Sequence, residues 1–174
     1  QLPKDNPEYQ NNLARAYKNL AQVQSDYLGE YKSAEINYKK AIEIGEQLPN
    51  DNPEYQRQLE RAYYNIAHLQ QVHLGDYESV KLNYTKAIEI GEQFSKDNPE
   101  YLFGLAMAYN NLACLQGMQE NYSVAEANMC SMINIFEQLV EYDSKYYIDW
   151  LKGKYLLAKI FFNNGKIELA KEDL

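Results

Sequence analysis

The chain has 174 residues, 45% of them hydrophobic and 24% charged, with a formal net charge of −8 and a pI near 4.8. That charge excludes a broad electrostatic footprint on nucleic acid, which needs clustered Lys and Arg, and equally one on an anionic membrane surface. No apolar run approaches the roughly 18 residues of a membrane span. Eight Gly and five Pro leave little punctuation, which suits long helices. Tyr is over-represented, 17 against one Trp and five Phe, and its polar tip suits half-wet packing between helices.

The first element is predicted to start at Asn6-Pro7-Glu8. Asn is a good N-cap, Pro suits the first helical position, and Glu complements the positive helix end. The same signal returns at Asn52-Pro53-Glu54 and Asn98-Pro99-Glu100, a step of 46 residues each time. Residues 1–46 and 47–92 are identical at 29 of 46 positions. In the second copy Tyr55, Leu59, Ala62, Tyr63, Ile66 and Ala67 form a helical stripe. Leu74-Gly75-Asp76 breaks it. A second helix follows, with Tyr77, Val80, Tyr84, Ala87, Ile88 and Gly91 on one face. Ala and Gly there allow close helix approach. A fainter fourth copy starts near Asp143 and ends at Leu174. Expected repeat boundaries are 3–47, 48–93, 94–139 and 140–174.

These residues carry a resemblance. Tyr109-x-x-Leu112-Ala113 followed by Tyr122-x-x-Ala125 resembles the tetratricopeptide repeat. Copy one matches it at Tyr17, Leu20, Ala21, Tyr31, Ala34, Tyr38 and Ala41. Copy two matches at Tyr63, Ile66, Ala67, Tyr77, Val80, Tyr84 and Ala87. Copy four keeps Leu157, Ala158, Gly165 and Ala170. The unit is longer than the family's 34 residues, so both helices are expected to be lengthened. The usual Trp place is Tyr, and Met129 and Met132 replace Tyr and Ala in copy three. The long unit is similar to kinesin light chain repeats and to bacterial arrays fused to effector domains. The resemblance implies an all-α fold: a right-handed superhelical stack of antiparallel helix pairs, its first helices lining a concave groove. Isolated hairpins cannot bury their apolar faces, so stability must come from stacking. The ends at Gln1-Leu2 and Leu174 read as cuts through a longer array.

No catalytic, metal or cofactor constellation is present. There is no phosphate-cradling Gly loop, no Gly-x-Ser-x-Gly elbow and no His-Glu-x-x-His pair. His68 and His73 are five apart and do not share a helix face. Cys114 and Cys130 lie on different predicted helices and read as free thiols, which fits a reducing, cytoplasmic setting. Cys114 reads as a small buried or groove-lining thiol. Glu43, Glu46, Glu89 and Glu92 read as a solvated outer face.

The stripe beside the packing stripe of each first helix is the candidate binding surface. It comprises Arg15, Lys18, Asn19 and Gln22 in copy one. In copy two it is Arg61, Tyr64, Asn65 and His68, and in copy three Met107, Asn110, Asn111 and Cys114. The 46-residue step extends it to Gly153, Leu156, Leu157 and Ile160. Asn19, Asn65 and Asn111 recur in phase. Such amides can pair with the backbone of an extended peptide, or can satisfy a neighbouring helix. The expected function is a scaffold binding a protein or peptide in this groove, with no nucleic-acid or membrane partner. The partner segment is expected to be acidic at one end and apolar at the other. The alternative is a ligand-sensing array that controls a protease or DNA-binding domain elsewhere in a longer protein. The helix over 150–162 is apolar on nearly every side and is a possible self-association surface.

Overall fold

In a computed structural model, which describes residues 6–94 and 98–172, all three Asn-Pro-Glu segments start helices. These are α1 (Pro7–Val23), α3 (Pro53–Leu69) and α5 (Pro99–Met118). Each Asn Oδ1 accepts the backbone N–H of the Glu two residues on, at 2.9, 3.0 and 2.9 Å. One orphan donor of each first turn is thereby satisfied. The second helices are α2 (Tyr31–Gly45), α4 (Tyr77–Phe94) and α6 (Tyr122–Tyr142). A short 3₁₀ turn, Ser144–Tyr146, leads into α7 (Tyr147–Asn163), and α8 (Ile167–Glu172) follows. The described residues are helices and turns only. The repeat start at residue 3, the Gln1-Leu2 tail and the end at Leu174 lie outside the described residues.

The chain divides into two compact units, 1–90 and 91–174. In the first, α1 packs on α2 through Ala21, Ala34, Tyr38 and Ala41, all buried. α3 then stacks on α2. A Cβ added to Gly45 would lie 3.0 Å from Leu59 Cδ1, so the small residue sets how closely these helices approach. Tyr63 Oη donates to Glu46 at 2.6 Å and ties the same seam. Ile66 and Leu69 are almost fully buried. Each such side chain stabilises by about 1.5–3 kcal/mol.

The second unit repeats this seam. A Cβ added to Gly91 would lie 3.0 Å from Leu105 Cδ1, and Tyr109 donates to Glu92 at 2.5 Å. Thus Glu46 and Glu92 do more than keep an outer face wet: each receives the Tyr hydroxyl of the helix that follows. The core here is Leu112, Leu115, Met129, Met132, Phe136 and Leu139. α7 lies against α6 at Gly153, where a Cβ would be 2.7 Å from Met132 Cε.

Gly153 corrects the register expected for copy four. It is buried, as are Leu157 and Ile160, so these positions belong to the packing face. The cause is one missing residue. Gln24 to Tyr31 and Gln70 to Tyr77 are seven steps, but Gln116 to Tyr122 is six. Past that point the step is 45, and Lys152, Tyr155, Leu156 and Lys159 become the equivalents of the copy-three stripe. Of the apolar residues of α7, Tyr147, Ile148, Leu151, Tyr155 and Phe162 are exposed.

The extra residue of copies one and two is accommodated as a π-turn. Gln24–Leu28 and Gln70–Leu74 are wound with i→i+5 bonds, and Gly29 and Gly75 close them with φ of 67° and 70°. A repeated amide pair fixes the joint. Asn37 Nδ2 donates to Gln24 at 2.7 Å, Asn83 to Gln70 at 2.8 Å and Asn128 to Gln116 at 2.7 Å.

Candidate functional site

The π-turn after α1 changes which residues face α3. A π-turn carries one residue more than an α-turn, so side chains beyond it are rotated from their α-helical directions. In the first unit it brings Ser25 and Asp26 alongside the last turns of α3. With Gln22 of α1, Tyr38 of α2, and Tyr64, Asn65, His68 and Leu69 of α3, they line an open cleft of about 200 Å³. That volume is below the roughly 300–1,000 Å³ of a site for a drug-sized molecule and suits one long side chain.

Four of the sequence-predicted residues therefore converge: Gln22, Tyr64, Asn65 and His68. The Tyr64 ring lies near-parallel to His68, with centroids 6.5 Å apart and planes at 12°. Tyr84 meets the Tyr64 ring edge-on at 5.7 Å. Asn65 hydrogen-bonds the Tyr38 hydroxyl, so one rung of the Asn ladder is engaged within the fold. Burial, together with the Asp26 carboxylate, pushes the Tyr38 pKa up to about 12, and the Asn65 bond works against that.

The remaining predicted residues lie elsewhere. Arg15 and Lys18 border a separate space of about 10 Å³ beside Asn11, Gly45 and Gln58, room for about one water. Arg15 is exposed and donates to Asn12 Oδ1 at 2.9 Å. Lys18 is buried and donates to Gln58 Oε1 at 2.7 Å. Burial, helped by the cations of Arg61 and Arg15, pushes its pKa down to about 8. Asn19 and Arg61 are exposed and line neither space. The basic groove end expected from Arg15, Lys18 and Arg61 is thus absent from the cleft lining.

In the second unit Met107, Asn110 and Asn111 are half-buried along α5, and Asn110 Nδ2 donates to Asn111 Oδ1 at 3.2 Å. Cys114 is half-buried, and burial raises its thiol pKa, with Lys159 pulling the other way. This unit has a larger open cleft, about 430 Å³, on a different face. Leu102, Tyr109, Ser131, Asn134 and Gln138 are among its lining, which includes none of the predicted stripe.

Sequence reasoning missed Ser25, Asp26 and Tyr38. Tyr38 reads as packing alone, and Ser25 and Asp26 fall outside the stripe taken as the binding surface. The signal that could have found them is the one-residue difference in turn length between copies. Among the described residues no group of three or more His, Cys, Asp or Glu could hold a metal ion. None of the described helices is long and apolar enough to cross a membrane.

Helical hairpins stacked through small residues and aromatics define the class. Residues 14–47 and 60–93 match the tetratricopeptide repeat family. Among solved structures the chain is similar to BtubC (BKLC) from P. vanneervenii, with a TM-score of 0.79 and 19% identity. That match covers 100% of this chain and 64% of BtubC. The apo form of RapI matches with a TM-score of 0.75 and 18% identity, over 94% of this chain and 41% of RapI. Aspartyl phosphate phosphatase F from Bacillus subtilis matches at 0.69 and 19% identity, over 98% of this chain and 39% of that one. At these identities the likeness establishes the fold. The chain spans less than two thirds of the length of each. Among curated proteins no sequence matches it.

Proposed function

We propose that the chain is a protein-interaction scaffold whose first unit holds a segment of a partner protein in the cleft between the ends of α1 and α3. The observation that carries this is the convergence of Gln22, Tyr64, Asn65 and His68 on one open space. Amides, a hydroxyl and aromatic rings in a half-wet concavity match peptide recognition better than chemistry. The described residues offer no group of three or more His, Cys, Asp or Glu on which metal-assisted catalysis could be built. Fold alone does not decide between binding and catalysis; the residues do.

The test is a displayed peptide library panned against the chain, followed by Gln22→Ala/Asn65→Ala, with circular dichroism to confirm equal helicity. Peptides selected by the wild type are expected to lose at least about tenfold in affinity, the cost of about two hydrogen bonds. Peptides that bind the double variant equally well would place recognition elsewhere.

A further inference from the structure

We infer that this cleft receives a cationic side chain, a Lys or Arg of the bound segment, with its charged head against Asp26. The inference rests on the binding role just proposed and names the chemistry of the partner. It reverses the acidic partner that the sequence stripe suggests.

Three observations lead here. The cleft lining has one carboxylate, Asp26, and no Lys or Arg. The cations expected to make it basic lie elsewhere, Lys18 buried against Gln58 and Arg15 bonded to Asn12. The groups around Asp26 suit a donor-only guest. A Lys or Arg head has three to five N–H donors and no acceptor, and the oxygens of Asp26, Ser25, Gln22 and Asn65 all accept. Tyr64 and His68, stacked on the same wall, offer aromatic surface to the aliphatic stem. A cation near such a ring gains further attraction.

The carboxylate is also specific to this joint. The second π-turn places Gln71 and Val72 where the first has Ser25 and Asp26, and copy three lacks the π-turn. π-turns within helices are frequent at functional sites. The net charge of −8 favours approach of a cationic segment over an acidic one.

The experiment titrates the ¹⁵N-labelled chain with four pentapeptides, Ala-Ser-X-Ser-Ala, in which X is Lys, Arg, norleucine or Glu. The backbone and side-chain resonances of Ser25, Asn65 and His68 are followed by NMR. The Lys and Arg peptides are expected to shift these resonances and to bind at least about fivefold tighter than norleucine, as an exposed ion pair plus a ring contact would give. Asp26→Asn is expected to abolish that preference and Asp26→Glu to keep it. Asp26 sits on an exposed turn, and unchanged amide dispersion elsewhere checks the fold. Equal binding of the norleucine or Glu peptide, or a Lys preference that survives Asp26→Asn, overturns the cationic guest. The binding cleft itself would then stand if library-selected peptides still depend on Gln22 and Asn65. No shift at these residues with any peptide at millimolar concentration, and no library peptide sensitive to the double variant, overturns both.

Discussion

Glu60 sits in α3 at the position held by Ala14 and Ala106 one repeat step away, and it is buried. Burial pushes its pKa from 4.5 up to about 7, with Arg61, Arg57 and Lys18 pulling back. The folded state then keeps a proton that the unfolded chain releases. The contribution of Glu60 to stability is greatest below about pH 4.5 and is lost as pH rises to about 7, by roughly 3 kcal/mol in all. Glu60→Gln should therefore stabilise the chain by about that amount at pH 8 and by little at pH 4.5. Urea unfolding at the two pH values checks this; an equal gain at both would show that charge burial is not the cause. The same position shows what sequence can and cannot reveal. The Asn caps were legible because three residues within one turn determine them. Burial of Lys18 and Glu60 was not, because a long polar side chain on a helix reads as exposed until its neighbour is placed.

At the scale of elements the turn after each first helix matters most. Gly29, Gly75 and Gly165 have φ near +70°, but the third hairpin places Glu120 there with φ of 61°. A left-handed residue with a Cβ costs about 1–2 kcal/mol, partly offset by the greater unfolded-state entropy of Gly. Glu120→Gly is expected to stabilise the second unit by about 0.5–1 kcal/mol. The measurement is the midpoint of chemical denaturation, and a decrease would mean that the Glu120 side chain has a compensating contact. Helix existence and order were readable from the 46-residue step and the apolar stripes. The π-turns were not: a one-residue difference in turn length is visible, but its effect on side-chain direction depends on helical winding. The same residue displaced the copy-four stripe by one position, turning Gly153, Leu157 and Ile160 into packing residues.

For the molecule as a whole, two seams are made in the same way. Gly45 with Leu59 and Glu46 with Tyr63 form one; Gly91 with Leu105 and Glu92 with Tyr109 form the other. Tyr63→Phe and Tyr109→Phe each remove one hydrogen bond to a carboxylate that can turn to water. Each is expected to cost about 1 kcal/mol in unfolding free energy. A loss several times larger at one site would show that the tie also holds the Gly–Leu contact in register. The stacked helix pairs were legible from recurring motifs, but the cleft required three helices to be brought together.

Because the two joins use the same four residue types, a hairpin copied from one position presents the faces its new neighbours already accept. A duplication or deletion of one 46-residue stretch of the gene would leave both cut surfaces matched. The chain can thus change length in a single genetic event, and a cleft such as that beside Asp26 can diverge in one copy while the others hold the fold.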